Sequence, residues 1–293
     1  MGWLGGVSAK KEIERRLFRW LFARVRFVWR CVSVVAGGFV GQAGADAEPL
    51  DVTRAGAVAE LRAAAPEVLG QAPRVVVGGE TLDPALRREG SGFTLEGAGV
   101  DARVSSSAGG GFALAGAGET PDLVVRPQGV SPDADAGVRA GDAVVFANTQ
   151  PGADQVVKAS ALGLETFVQI RGPESPEDYS YTVDLRGEGQ RLVLLDSGAV
   201  AIVDPDGSPV AVATPPQAHD ANGNPVPVTA SVNGNTLTLH VPHTTGDWAY
   251  PIVVDPLWGF LGRRCAQGAI VGWLTVGGWR GAIGGCLAAA WKL

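Results

Sequence analysis

Between residues 74 and 257 the apolar positions fall into short alternating stretches separated by turn residues. Tyr179, Tyr181, Val183 and Leu185 occupy every second position of their stretch, which sets all four on one face of a strand. Val226, Val228, Ala230 and Val232 repeat the pattern, Asn233-Gly234 supplies the left-handed pair of a two-residue hairpin, and Leu237, Leu239 and Val241 return on the other arm. Residues 165–171, 191–195 and 199–203 read as further strands, and Asp204-Pro205-Asp206-Gly207 as a turn. Strands recurring roughly every 8–15 residues with no helix between them predict an antiparallel β-sandwich or barrel. The glycine-rich run over 105–118 blurs the pattern between about 90 and 120, which reads as two β subregions, with one continuous sandwich as the alternative. Ahead of the strands, residues 51–65 predict a short helix. Asp51 caps it, Ala55, Ala57, Ala59, Leu61 and Ala63 favour it, and Pro66 ends it.

The two ends of the chain break this pattern. Residues 31–40 are uncharged and apolar, Arg24, Arg26 and Arg30 precede them, and Ala43-Gly44-Ala45 or Ala45-Asp46-Ala47 offers a small-x-small exit. A basic region, a short apolar region and a small-residue exit make up a secretory signal peptide. The run is too short to span a bilayer, which takes roughly 20 residues. A start at Val25 would leave a signal of ordinary length, so the first residues read as an over-extended start. Residues 15–30 also have the arginine spacing of an interfacial helix. The expected organisation is a signal peptide over 1–47, a short helix and linker over 48–73, a β-sandwich over 74–257 and a cationic hydrophobic tail over 258–293. In fold class the chain is mainly β, an antiparallel β-sandwich with an N-terminal signal/helical segment and a C-terminal helical hairpin.

Charge sharpens the division. Residues 1–47 carry eight Lys/Arg against three acids (+5), residues 48–257 twelve against 27 (-15), and residues 258–293 four against none (+4), returning the overall -6. The acidic middle argues against nucleic-acid binding, which needs a clustered basic face. Both cationic ends are also strongly apolar, which favours a membrane partner and a secreted, cell-surface or membrane-associated location. Three Cys exclude a small disulfide scaffold, and three His leave little for a histidine-based site.

Candidate chemistry in the middle is thin. His240-x-x-His243 with Asp247 offers an incomplete metal set, and His219-Asp220 lies in a Pro/Asn/Gly loop. Asp204-x-Asp206-Gly207 and Asp220-x-Asn222-Gly223-Asn224 resemble pieces of a calcium loop, without its late bidentate Glu. Glu174, Glu177 and Asp178 sit in a Pro-rich polar turn, and no nucleophile elbow or phosphate loop occurs. The expectation is a non-enzymatic protein with no cofactor and no metal; a hydrolase acting on envelope glycans is the enzymatic rival.

The tail is the part expected to act. It holds four of the eight Trp, namely Trp258, Trp273, Trp279 and Trp291. Gly268/Gly272, Gly277/Gly281 and Gly281/Gly285 repeat at small-xxx-small spacing, which lets helix backbones approach closely in lipid. Gly277-Gly278 would break a single span, and Arg280 near its middle would cost about 2.5–3.5 kcal/mol. A hairpin fits better, because Cys265 and Cys286 stand almost symmetrically about that glycine pair. An exported pair would oxidise and close a loop that contributes roughly 3 kcal/mol. The predicted contacts with membrane lipid, or with another copy in self-association, are Gly268, Gly272, Trp273, Gly277, Trp279, Arg280, Gly281, Gly285 and Trp291, with Cys265 and Cys286 as the disulfide. The alternative is a structural cell-envelope protein with an inert hydrophobic anchor.

A resemblance adds to this reading. Pro121–Pro127, Asn148–Asp154, Asp204–Gly207, His219–Val226 and above all Tyr250-Pro-Ile-Val-Val-Asp-Pro256 occur in an order that resembles a β-sandwich module of secreted actinobacterial Rhs/YD-repeat-associated proteins. The likeness covers roughly 120–257 and implies an extracellular structural, display or delivery role. No YD repeats follow. The tail instead resembles Gly-rich bacteriocin and toxin-like peptides in general character, carrying the features of a glycine zipper.

Overall fold

The computed structural model describes residues 53–77, 80–98, 100–115, 123–131, 134, 136–161, 163–207, 209–255 and 257–259. The expected signal peptide, the Cys265–Cys286 pair and all nine predicted tail contacts lie outside the described residues.

Helix α1 (Arg54–Ala64) begins at Thr53, whose hydroxyl accepts the Gly56 amide at 3.1 Å. Pro66 does more than end it. With no N–H to lose, Pro66 opens the one-turn helix α2 (Pro66–Leu69). Strands β1 (Val75–Val77) and β2 (Glu80–Leu82) form a small antiparallel ribbon.

The remaining strands build two large antiparallel sheets. In chain order they begin with β3 (Ala85–Glu89), β4 (Gly92–Glu96), β5 (Asp101–Val104), β6 (Phe112–Ala115) and β7 (Leu123–Pro127). Then come β8 (Val138–Ala140), β9 (Ala143–Gln150), β10 (Ala153–Ser160), β11 (Gly163–Ile170) and β12 (Asp178–Asp184). β13 (Arg191–Leu194), β14 (Val200–Val203), β15 (Pro209–Ala213) and β16 (Gln217–His219) follow. β17 (Thr229–Asn233), β18 (Thr236–His240), β19 (Ile252–Asp255) and β20 (Leu257–Gly259) complete the series. The eight-stranded sheet runs β17-β18-β12-β7-β6-β5-β4-β3. The ten-stranded sheet runs β13-β14-β15-β20-β11-β10-β9-β8, with β19 paired to β11 and to β16.

The sheets share one core. Leu86, Phe93, Phe112, Leu114, Tyr181, Leu237 and Leu239 come from the eight-stranded sheet, and Phe146, Val157, Leu164, Val168, Ile170, Ile252, Val254 and Trp258 from the other. Tyr179, Tyr181 and Val183 are buried on one face of β12, as their alternation predicts. The second hairpin arm also follows its pattern, but the turn is shifted by one residue. Asn233 pairs with Thr236, so Gly234-Asn235 forms the loop, with Gly234 at φ 57°. A glycine in that first position suits a primed hairpin turn.

The ten-stranded sheet is covered on its other face too. Ala57 and Leu61 of α1 and Val68 and Leu69 of α2 pack on Ala143, Val145, Ala147, Val156 and Phe167. The opposite faces of the same strands carry Val144, Phe146 and Val157 into the inter-sheet core. Gly141, at φ 63°, lets α2 come close, since a Cβ there would strike the Leu69 carbonyl. The Asp142 carboxylate accepts the Ala72 amide at 3.1 Å. The stretch over 53–72, expected to act partly as linker, is therefore packed as an outer layer.

Candidate functional site

The tail predicted to act grows from β20. This strand is internal: Leu164 of β11 and Ala213 of β15 both pair with Trp258, and Gly163 and Val212 with Gly259. Trp258, read from the sequence as the first residue of the tail, is 2% exposed and belongs to the sandwich core. Its indole meets Phe112 edge-on at 6.1 Å between ring centroids. Burial between two strands takes the large indole surface out of water, which fixes the tail's root.

Next to this exit the sheet carries charge on its helix-covered face. Leu164, Val168 and Ile170 point into the inter-sheet core, so Glu165 points the other way, opposite Lys158 and Leu257 on its neighbours. Ile252 and Val254 likewise point inward, which places Val253 and Asp255 on that outer face. Glu165 and Asp255 are half-buried. Burial pushes the Glu165 carboxyl above its usual range, only partly offset by Lys158. The Asp255 carboxyl is pushed up to about 7 by burial, against the Gln217 amide, while the Glu165 charge raises it further. Lys158 is buried and donates to the Glu67 carbonyl at 2.6 Å, so its ammonium is shared with the end of α2. The sequence reading missed this group. Its available signal was a lysine and a glutamate, each inside a valine-rich or apolar strand.

A second buried charge cluster is structural. Arg171 and Asp154, at 2% and 0% side-chain exposure, form an ion pair, and Arg171 also donates to the Asn148 side chain at 2.9 Å. Asp154 accepts the Asn148 amide at 2.8 Å, holding Asn148 at φ 55° where the β9–β10 register shifts. The group stabilises a β-bulge.

The sequence-derived metal candidates are dispersed or already occupied. His240 is exposed and bonded to Asp178 at 2.8 Å, whereas His243 is fully buried. The two ring nitrogens of His243 meet the Tyr250 hydroxyl at 2.9 Å and the Pro176 carbonyl at 3.2 Å. Asp220 accepts amide protons from Asn222 at 2.9 Å, Asn224 at 2.8 Å and Ala249 at 3.3 Å, and the Asn224 side chain at 3.0 Å. Burial works to raise this carboxyl, but the Asn224, Ala249 and Asn222 donors outweigh it and hold it below its usual range. These bonds take up the oxygens a calcium ion would need. Asp204 similarly accepts the Gln190 side chain at 3.1 Å. Glu177 accepts the Thr244 hydroxyl at 2.6 Å and amide at 3.1 Å, bracing a loop. Among the described residues no three His, Cys, Asp or Glu group as a metal set, and no helix is long and apolar enough to cross a membrane.

An open cleft of about 450 Å³ lies at the β3–β4 turn, bordered by Glu89, Ser91, Thr94, Arg103 and Ser105 over a floor of glycine backbone. Arg103 is exposed and Glu89 is bonded to Thr94, so few polar groups converge on a ligand there. Compared with protein-family models and with curated proteins, the chain finds no match.

Proposed function

We propose that the protein is an exported, non-enzymatic β-sandwich carrier that presents or restrains a membrane-associating, cationic glycine-zipper tail. The single observation that carries this reading is the root of the tail. Trp258 is fixed in the core between two neighbouring strands, and the +4 segment leaves from the interior of a sheet. A segment rooted there cannot drift from the acidic body, so whatever surface the tail meets is brought to the body. Cations beside tryptophans favour the anionic headgroup region, where charge attraction and apolar burial add. The ordered turns of 120–257 support kinship with the secreted Rhs-associated modules, and with it an extracellular display role.

The test is dye release from vesicles rich in anionic lipid. Full-length protein is expected to release dye, and an Arg263→Gln, Arg264→Gln, Arg280→Gln variant to release several-fold less. Binding without release at any anionic fraction would favour the inert-anchor alternative, and no binding at all would remove the carrier reading.

A further inference from the structure

Among the described residues β13 ends one side of the ten-stranded sheet, and its free edge has a definite backbone polarity. In the turn from β13 to β14 the Leu195 amide donates to the Ala199 carbonyl at 2.8 Å and the Gly198 amide to the Leu195 carbonyl at 2.8 Å. Hydrogen-bonded pairs alternate along an antiparallel ladder, so the next bonded pairs are Val193 with Ala201 and Arg191 with Val203. Leu192 and Leu194 therefore turn their N–H and C=O groups away from the sheet. Their side chains share one face: Leu192 is buried in the inter-sheet core, whereas Leu194 is 43% exposed. Val76 and Leu194 are the large apolar side chains left exposed among the described residues. β17, the last strand of the other sheet, lies beside β13, and its Ala230 and Val232 are only partly covered. An open edge with an apolar rim is a template for another strand.

We propose that the β13 edge is an interface between two copies of this chain, formed by antiparallel pairing of β13 with its counterpart about a two-fold axis at Val193. The edge itself selects a second copy. An added antiparallel strand bonds only through residues whose backbone groups face outward, and Leu192 and Leu194 stand symmetrically about Val193. The two-fold sets Leu192 against the partner's Leu194 and Leu194 against the partner's Leu192, each pair exchanging both N–H···O bonds. This contact also covers the exposed leucine. Charge fits the same register. Arg191 opens β13 and Asp196 lies just past its end, both exposed, and neither side chain has a partner among the described residues. The antiparallel arrangement brings each Arg191 alongside the partner's Asp196, whereas a parallel one would set like charges together. The interface lies in the sandwich and does not rest on the carrier reading.

Sedimentation velocity of the full-length protein over a dilution series is expected to show a dimer that dissociates as it is diluted. Leu194→Pro removes an outward N–H and no bond to β14, and Leu194→Lys places a charge on the edge. Each is expected to weaken the dimer by about tenfold or more, with circular dichroism checking the fold. Arg191→Glu alone and Asp196→Arg alone should weaken it too, and the two together should restore it. Val193 would meet the partner's Val193 as a non-hydrogen-bonded pair, with Cα atoms about 4.5 Å apart. Val193→Cys is therefore expected to cross-link two chains at position 193 on mild oxidation, identified by mass spectrometry of the joined peptides, and Leu195→Cys to give no such product. A monomer at every concentration overturns the proposal. A dimer that all these substitutions leave unchanged also overturns it, and places self-association in the tail. Failure of the double charge reversal to restore the dimer overturns the antiparallel register. A cross-link from position 193 to Cys31, Cys265 or Cys286 overturns the proposal as well, by seating another segment on the edge.

Discussion

Replacing Asp220 with Ala strips the amides of Asn222, Asn224 and Ala249 of their acceptor, along with the Asn224 side chain. The expected loss is about 1–3 kcal/mol, read from the urea midpoint at neutral pH. Because the folded carboxyl lies below its usual range, its contribution is present above the unfolded value and is lost as the pH falls through the folded one. The midpoints of variant and parent should therefore converge in strong acid; a gap that persists there would assign the loss to loop packing. Arg171 is a harsher case. Arg171→Met leaves the Asp154 carboxylate buried without its guanidinium, at a cost of about 3–5 kcal/mol. Adding Asp154→Leu should recover part of it, so a double-mutant cycle in urea would show strong coupling. Additive losses would mean that the pair is not the unit that holds the bulge.

At the scale of elements, Trp258 decides whether β20 belongs to the body. Trp258→Ala empties a site between the sheets beside Phe112 and is expected to cost about 3–5 kcal/mol, measured by thermal unfolding. A loss under about 1 kcal/mol would return Trp258 to the tail. Gly141→Ala is expected to destabilise by more than about 1 kcal/mol, since it meets both a positive φ and the Leu69 carbonyl; an unchanged midpoint would contradict the close approach of α2. These elements also show what was legible in the sequence. β12 and β18 bury one face, so their alternation could be read directly. β9 and β10 lie between the helices and the other sheet, so both their faces are buried and the alternation vanishes. The same burial hid Lys158 and Glu165, which alternation assigns to no face. Trp258 was legible as apolar but not as core, because three residues before a glycine-rich run carry too little period to separate strand from tail.

For the whole molecule, the decisive feature is a body of charge -15 carrying an end of charge +4. Opposite charges on one chain attract at low salt. The sequence-derived candidates are engaged by neighbouring groups: Asp220, Asp204 and His240 of the metal sets, and Glu177 of the carboxylate turn. On the proposed reading the sandwich supplies rigidity and the tail supplies contact. Co-sedimentation with anionic vesicles tests this division most directly, comparing the intact protein with a chain ending at Gly259, which keeps β20 and the Trp258 core whole. The account predicts that the intact protein sediments with the vesicles and that the shortened chain stays in the supernatant. Sedimentation of the shortened chain to the same extent would place the membrane-seeking surface on the body and contradict the account.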